Sequence, residues 1–211
     1  MNHRAVIFDL GGVIVDSPMA GIARYESELG LEAGFINRLI VETGEAGAWA
    51  RLEQGRLDME AFFDAFEADA AERGISLSAR NLMARMGEAR TVRPLMLGAV
   101  QRIRERGLAV AALTNNWKSD DGGLGRDGLG LDRHFDVFVE SSVVGLSKPD
   151  PRIYAYTCAE LGIEPREAVF LDDIGRNLRS ARQLGMTTIK VADPDQALHE
   201  LEQVLGFDVR G

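Results

Sequence analysis

Short apolar runs recur along the chain between longer amphipathic stretches. The first run, residues 5–10, is β-branched in character and ends at Gly11-Gly12, which predicts a buried strand followed by a sharp turn. Later runs are similarly short and apolar, so we predict strands there as well. The further predicted strands are residues 108–113, 137–139, 168–171 and 188–191.

Amphipathic helices are predicted between these strands in the second half of the chain. Pro94 opens a helix that runs to about Arg106, because proline is favoured in the first turn of a helix. Further helices are predicted to start near Pro151 and Gly175, and the last to span residues 194–205. Buried strands that alternate with helices predict an α/β fold, a Rossmann-like parallel sheet with helices on both faces.

The stretch from residue 18 to about residue 90 has a different texture. It is rich in Ala, Glu, Leu and Arg, its apolar residues have helical spacing, and it contains no strong strand signal. We therefore predict an inserted unit of four or five helices, with breaks at Gly30, Gly44 and Gly74. The predicted domains are a core, residues 1–15 and 92–211, and a helical insertion, residues 16–91.

Composition narrows the classes of partner. The 211 residues suit one domain with an insertion or two small domains, and the net charge of −9 makes nucleic acid a poor partner. The single cysteine, Cys158, excludes an internal disulfide framework and a multi-cysteine metal site. The sequence opens on a buried-strand pattern, from which we expect no signal peptide, and no apolar run approaches the roughly 20 residues that span a bilayer. We expect a cytoplasmic protein that binds no membrane, as a monomer or a homodimer.

The segment 118–130 is rich in glycine and aspartate and is predicted to form a mobile loop. It contains a literal GxGxxG pattern at Gly123, Gly125 and Gly128. That pattern binds dinucleotides only between a strand and a helix. Polar residues precede it here and no helical pattern follows promptly, so we do not expect a dinucleotide site.

Polar residues collect directly after three of the predicted strands. Asp9 lies near the end of the first strand, Thr114 and Asn115 follow the second, and Asp172 and Asp173 follow the fourth. Ligands of open parallel sheets bind beyond the carboxyl ends of the strands. These side chains are therefore expected to meet at one edge of the sheet.

The chemistry of that edge suits phosphoryl transfer. Clustered carboxylates repel one another unless a cation lies among them, and hard oxygen ligands favour Mg²⁺. Lys148 lies in a turn, GLSKPDP, whose prolines limit backbone freedom, so its ammonium is expected to point towards the same edge. A nucleophile, a metal, a cation and neutral donors fit a reaction that depends on positioning and on charge stabilisation.

Four motifs in order resemble those of a known group of enzymes. The chain is similar to the haloacid dehalogenase superfamily, subfamily IA, over nearly its whole length, and the helical insertion resembles that superfamily's α-helical cap. Within the superfamily it most resembles the phosphatase-like N-terminal domain of soluble epoxide hydrolase and the related domain of acyl-CoA dehydrogenase family member 10. The motifs are FDLGGVIVD (8–16), LTNN (113–116), GLSKPDPRIY (145–154) and FLDDIGRN (170–177).

The resemblance implies a role for each matching residue. Asp9 would attack phosphorus and form an aspartyl-phosphate that water later hydrolyses. Mg²⁺ would be held by Asp9, by the backbone carbonyl of Gly11 and by Asp173. The remaining implied roles are phosphate binding by Thr114, the Asn115 backbone and Lys148, and support of the phosphate side by Asp172 and Asn177.

Gly11 departs from the superfamily pattern. Phosphatases of this superfamily normally carry an aspartate two residues after the nucleophile, which acts as general acid and base. Glycine cannot protonate a leaving group, and loss of such an acid typically lowers the rate by about 10²–10⁴-fold. Asp16 is the nearest candidate substitute.

Three functions therefore remain open on the sequence. The first is a magnesium-dependent phosphohydrolase that acts on a small phosphorylated metabolite, with a good leaving group or another acid. The second is a 2-haloacid dehalogenase, whose halide leaves without a proton. The third is a catalytically silent domain that binds phosphate or regulates a partner.

Overall fold

A parallel β-sheet forms the centre of the molecule. The computed structural model describes residues 3–88, 91–118 and 129–210. The strands are β1 (Ala5–Phe8), β2 (Ala109–Thr114), β3 (Val137–Glu140), β4 (Ala168–Asp172) and β5 (Thr187–Lys190). They lie in the order β3, β2, β1, β4, β5, and all four pairings are parallel.

Helices surround the sheet, and a separate group of helices lies between β1 and β2 in the chain. The helices of that group are α1 (Met19–Glu28), α2 (Phe35–Thr43), α3 (Ala48–Glu53), α4 (Met59–Ala71) and α5 (Ala79–Gly87). The later helices are α6 (Pro94–Glu105), α7 (Ser141–Val144), α8 (Pro151–Leu161), α9 (Gly175–Gln183) and α10 (Pro194–Leu205).

Both faces of the sheet are buried, which explains why the strands are apolar throughout rather than alternating. On β1, Val6 and Phe8 belong to the apolar cluster that includes α6 and α10, while Ile7 belongs to the cluster that includes α8 and α9. The first cluster contains Met96 and Leu198 from those helices. Every residue of β1 is buried, so the strand that carries Asp9 at its end is held from both sides.

The group α1 to α5 has an apolar cluster of its own. The ring of Trp49 lies 5.8 Å from that of Phe62 and 5.7 Å from that of Phe66. Trp117, which follows β2, packs against the same ring at 5.9 Å. Asp58 at the start of α4 accepts a backbone N–H of the first turn, as a good N-terminal cap does. The insertion therefore packs internally and also contacts the core.

The insertion leaves and rejoins the core through adjacent segments. The N–H of Asp16 donates to the carbonyl of Thr91 at 2.9 Å, and the N–H of Arg93 donates to the carbonyl of Ile14 at 2.8 Å. The domain boundaries drawn from the sequence, between residues 15 and 16 and between residues 91 and 92, stay a prediction.

The predicted fold class is confirmed, and the element ends differ by one or two residues. β1 ends at Phe8 rather than at residue 10, because the N–H of Leu10 turns to the carboxylate of Asp9 at 2.7 Å. The short helix α7 was not predicted. The predicted loop with the GxGxxG pattern lies outside the described residues from 119 to 128. Among the helices that the structure describes, none is long and apolar enough to cross a membrane.

Candidate active site

The carboxyl ends of the strands bring the predicted polar residues together. Asp9 follows β1 directly, Thr114 ends β2, and Asp172 ends β4 with Asp173 next to it. The backbone N–H of Asp9 donates to the carbonyl of Leu171 at 2.9 Å, which continues the β1–β4 pairing to the level of the carboxylates. The ends of β1, β2 and β4 therefore bring acidic and hydroxyl side chains together.

Lys148 lies at the centre of this group. Its Nζ is 2.8 Å from Oδ1 of Asp9 and 2.8 Å from Oδ2 of Asp172, and it donates to the carbonyl of Leu113 at 3.0 Å. Only 3% of the residue is exposed. Burial alone would lower the pKa of the Lys148 ammonium, but the carboxylates of Asp172 and Asp9 outweigh burial and raise it. The ammonium therefore stays charged.

The side chain of Asn115 fixes the backbone of Lys148. Its Oδ1 accepts the N–H of Lys148 at 2.8 Å, and its Nδ2 donates to the Lys148 carbonyl at 3.0 Å. Thr114 is buried beside it, and its hydroxyl donates to the Asn115 carbonyl at a long 3.4 Å. The Asn115 side chain therefore holds the lysine turn, and phosphate binding by the Asn115 backbone, which the resemblance implies, stays a prediction.

Asp172 is held by donors on every side. Nδ2 of Asn177 lies 3.2 Å and 3.1 Å from its two oxygens, and the N–H of Ile174 donates to it at 2.7 Å. Tyr154 in turn donates its hydroxyl to the carbonyl of Asn177 at 2.9 Å. The N-terminal cap of α9 is Ile174, which forms no side-chain hydrogen bond there. The geometry makes Asp172 the support of Lys148.

The Asp173 carboxylate lacks the ion pair that Lys148 forms with Asp172. It forms no ion pair with any lysine or arginine of the residues described, and burial followed by the charge of Asp172 raises the pKa of Asp173 to about 6. Gly12 lies so close that a Cβ there would overlap Oδ2 of Asp173, and its φ of 78° also requires glycine. The carboxylate thus lies close to the Gly12 backbone, and its charge is unpaired.

The acidic cluster fits a divalent cation. One oxygen from each of Asp9, Asp172 and Asp173 lies within 4.8 Å of the others, and Lys148 supplies one positive charge against three negative ones. Burial, opposed by Lys148 and reinforced by the two other carboxylates, raises the pKa of Asp9 to about 8. Because Asp172 is fully buried and does not line the pocket, Asp9 and Asp173 are the carboxylates that a hard cation in the pocket can reach. Gly11 lines the same pocket.

A pocket that is open to solvent lies between the cluster and the insertion. Its sheet side is charged and its insertion side is mainly apolar. Arg176, an exposed residue in the first turn of α9, lies at its edge. The insertion contributes Met19, Ile22, Ile40, Trp49, Glu53 and Met86 to the lining.

Two residues that sequence reasoning missed stand out here. Glu53 at the end of α3 brings a carboxylate from the insertion into the pocket, and Arg93 donates to the Gly12 carbonyl at 2.7 Å and to Asp16 Oδ1 at 3.0 Å. Arg93 thereby holds the loop after β1. Asp16, the candidate replacement acid, is bound to Arg93 and is not among the residues that line the pocket. The spacing of Trp49 and Glu53, one helical turn apart, was the signal that the sequence offered.

A second polar cluster lies beside the first, where β2 and β3 end. Nδ2 of Asn116 donates to Glu140 at 2.7 Å, and its Oδ1 accepts the hydroxyl of Ser142 at 2.9 Å. Its backbone N–H and carbonyl both bond the hydroxyl of Ser141, at 2.9 Å and 3.2 Å. This buried asparagine is satisfied entirely by protein groups.

Comparison with known proteins bears on this geometry. A family model described as a haloacid dehalogenase-like hydrolase matches residues 3–185. The chain is 39% identical over 98% of its length to acyl-CoA dehydrogenase family member 10 of Mus musculus, and 37% identical over 99% to bifunctional epoxide hydrolase 2 of Sus scrofa. It spans only 19% of the first relative and 40% of the second. More distant relatives include phosphatases and an (S)-2-haloacid dehalogenase.

Solved structures with the same fold were also found. A predicted HAD-like hydrolase from Porphyromonas gingivalis has a TM-score of 0.72 at 21% identity, covering 97% of this chain and 98% of that one. A HAD family enzyme from Bacteroides thetaiotaomicron, in complex with magnesium and inorganic phosphate, has a TM-score of 0.62 at 22% identity, covering 90% and 94%. At such identities these structures establish the shared fold.

Proposed function

The chain belongs to the haloacid dehalogenase-like hydrolases, as its four motifs indicated, and from that premise we propose that it is a phosphohydrolase. Its nucleophile is Asp9, and its substrate is a small phosphorylated metabolite. The observation that carries the proposal is the charge pattern of the cluster, in which Lys148 is fixed on Asp9 while the carboxylate of Asp173 is unpaired. That pattern suits a cation and a phosphoryl group together.

The contacts of Asp9 select the attacking atom. Oδ1 accepts from the N–H of Leu10 at 2.7 Å and lies 2.8 Å from Nζ of Lys148, so Oδ2 is left for attack on phosphorus. A bond forms between Oδ2 and phosphorus while the bond to the leaving oxygen breaks, which gives an aspartyl-phosphate. Water then attacks this phosphorus, inorganic phosphate leaves, and the Asp9 carboxylate is restored.

Lys148 and its neighbours stabilise the charge that develops. Asp172 keeps the ammonium charged and in place, so its positive charge is available to Asp9 and to the phosphoryl oxygens without rearrangement. Thr114 and Asn115 line the same pocket, and the Thr114 hydroxyl and the Asn115 backbone N–H are the neutral donors proposed for the phosphoryl oxygens.

Asp9, Asp173 and the carbonyl of Gly11 are the groups that would hold a magnesium ion. Bound there, the ion would supply positive charge to the phosphoryl oxygens and reduce the repulsion between substrate and carboxylates. The fit of the donor set supports this choice, since all three ligands are hard oxygens.

Hydrolysis of an aryl phosphate tests the proposal, with and without Mg²⁺, in the wild type and in Asp9→Asn. An aryl leaving group needs little protonation, so the glycine at position 11 does not obscure the result. We expect magnesium-dependent turnover that falls by at least about 10⁴-fold in Asp9→Asn, a loss of about 5.5 kcal/mol of transition-state stabilisation. Asp195→Asn, an exposed carboxylate on α10, is the matched control and should keep full activity.

Dehalogenation of 2-haloacids is the second candidate, and Gly11 is the observation that favours it. A halide leaves as a weak base and needs no acid, and one relative is an (S)-2-haloacid dehalogenase, 27% identical over 89% of this chain. Halide release without magnesium, and no aryl phosphate turnover, would replace the phosphohydrolase by this activity. Binding of phosphate without either reaction would indicate a catalytically silent domain.

A further inference from the structure

The pocket contains one carboxylate that the proposed reaction leaves without a task. The acidic residues of the described chain that line it are Asp9, Asp173 and Glu53. The first is the nucleophile and the second faces the cation, whereas Glu53 belongs to α3 of the insertion. Asp172 lies behind Lys148 and is fully buried, and Asp16 is bound to Arg93.

Glu53 is held in a defined orientation. Nε1 of Trp49 donates to its Oε1 at 3.0 Å, and Nδ2 of Asn115 donates to its Oε2 at 3.0 Å. The same Asn115 amide fixes the backbone of Lys148, so the carboxylate is connected to the lysine turn through one side chain. Each Glu53 oxygen therefore accepts one hydrogen bond and keeps a second lone pair that can bind a proton.

The position of Glu53 matches the side on which a leaving group departs. Asp9 attacks from the sheet, and in-line displacement places the leaving oxygen on the opposite side of phosphorus. That side faces the insertion, whose contribution to the lining is apolar or neutral apart from Glu53. The two cavities beside this carboxylate share Ile40, Trp49, Glu53, Lys148 and Arg176, so there is open space for a leaving group next to it.

We propose that Glu53 is the general acid and base of this hydrolase and takes the place of the aspartate that is absent at Gly11. This inference rests on the proposed phosphohydrolase function. In the first step the Glu53 carboxyl gives its proton to the leaving oxygen as the P–O bond breaks, which releases a neutral alcohol. In the second step the Glu53 carboxylate accepts a proton from the water that attacks the aspartyl-phosphate.

The surroundings of Glu53 suit a group that must change its protonation state. Burial raises the pKa of Glu53 above its usual value, and it outweighs the hydrogen bonds from Trp49 and Asn115 and the positive charges of Arg176 and Lys148, which lower it. Among the described residues, the charged groups that face Glu53 are these two cations, Asp9 and Asp173 in the same pocket, and Glu45 and Asp150 across the adjacent cavity. A pKa shifted upwards brings a carboxylic acid closer to neutral pH, where general acids work best.

The test compares an alkyl phosphate with an aryl phosphate in Glu53→Gln. A proton donor matters for a strongly basic alkoxide and much less for an aryl oxide, so kcat for the alkyl phosphate should fall by about 10²-fold or more, and for the aryl phosphate by less than about tenfold. Glu60→Gln, an exposed carboxylate on α4 paired with Arg80, is the matched control and should change neither rate. An equal loss on both substrates would show that Glu53 only supports the structure.

A second substitution tests whether Glu53→Gln loses activity through lost proton transfer or through altered folding. Gly11 does not have a positive φ, so an aspartate fits its backbone. Adding Gly11→Asp to Glu53→Gln should restore most of the alkyl phosphate turnover, and failure of this rescue in a folded double variant would overturn the inference. In the wild type, alkyl turnover should fall as pH rises through the pKa of Glu53 while aryl turnover does not; a parallel fall would also count against it.

The experiments distinguish failure of the proposed phosphohydrolase function from failure of the proposed role of Glu53. If the wild type shows no magnesium-dependent phosphate hydrolysis, the phosphohydrolase itself is wrong and the role of Glu53 falls with it. If the wild type is active and Asp9→Asn is not, but Glu53→Gln fails to discriminate between the substrates, only the role of Glu53 is wrong.

Discussion

Two polar clusters lie side by side at the carboxyl edge of the sheet, and they are built on opposite principles. The charged cluster (Asp9, Lys148, Asp172 and Asp173) has three carboxylates and one ammonium. The amide cluster (Asn116, Glu140, Ser141 and Ser142) is centred on an asparagine whose amide and backbone groups all find protein partners.

The difference between the two clusters indicates which part of the molecule is arranged for binding rather than for stability. Buried polar groups normally have their hydrogen bonds made within the protein, as those of Asn116 are. Asp173 differs, because no lysine or arginine of the described residues pairs with its half-buried carboxylate, and burial and the charge of Asp172 raise its pKa to about 6. An unpaired carboxylate beside Asn177 Oδ1, a buried oxygen without a hydrogen-bond partner, is a feature expected of a site that binds a cation and a substrate.

The largest effect is expected from Lys148→Met, which removes the single cation of the charged cluster. Breaking a buried ion pair from one side leaves uncompensated charge and typically costs about 3–5 kcal/mol. Urea unfolding at pH 7 measures the loss, with Lys190→Met at the exposed end of β5 as the control. The double variant Lys148→Met with Asp172→Asn should recover part of the loss, and a double variant no more stable than the single one would contradict this account.

Asn116→Ala should have the next largest effect, and on stability alone. It removes one partner of Glu140 and the acceptor of Ser142, and a hydrogen bond to a charged group is worth about 1.5–3 kcal/mol. We expect a loss of about 2–3 kcal/mol in urea unfolding. The rise in Tm that Mg²⁺ gives the wild type should persist in this variant, and its disappearance would mean that the two clusters are not independent.

Asp173→Asn should have the opposite sign. A carboxyl whose pKa is raised in the folded state, here to about 6, destabilises the fold above that pH and has no such effect below its unfolded pKa of about 3.9. Without divalent cations the variant should be more stable than the wild type by about 1–2 kcal/mol at pH 7, with the difference vanishing as pH falls from 6 to 4.

Metal addition completes the test of Asp173. Mg²⁺ should raise the Tm of the wild type, because a ligand that binds only the folded state stabilises it, and should leave that of Asp173→Asn unchanged. A variant that is less stable than the wild type at pH 7, or that responds to Mg²⁺ like the wild type, would remove Asp173 from the cation site.

Ser142→Ala should have the smallest effect. It removes one neutral hydrogen bond to Oδ1 of Asn116, which is worth about 0.5–1.5 kcal/mol. Thermal unfolding measures the change, and aryl phosphate turnover should match that of the wild type. A loss above about 3 kcal/mol would show that the amide cluster is strained rather than self-contained.

The sequence predicted those site residues whose position follows from local structure. Asp9, Thr114 and Asp172 lie at strand ends, and the carboxyl ends of parallel strands necessarily share an edge. Lys148 was predicted because its turn is short and rigid. The strands themselves were predictable since their apolar character reflects burial on both faces.

Glu53 could not be predicted in the same way. Its contact with Asn115 joins positions 62 residues apart, and it depends on how the insertion packs on the core. Helical periodicity shows which face of α3 is buried but not which part of the core that face meets. The four-residue helix α7 was not predicted, because a single helical turn is too short to show a hydrophobic period.

The central claim is that Asp9 carries the phosphoryl group during turnover, and trapping that group tests it most directly. An aryl phosphate labelled in its phosphoryl group is mixed with enzyme and Mg²⁺, and the reaction is stopped with acid within the first turnovers. The account predicts label bound covalently to the wild-type chain at Asp9, released by hydroxylamine as an acyl phosphate would be, and absent from Asp9→Asn. Label-free protein during steady turnover, or equal labelling of Asp9→Asn, would contradict it.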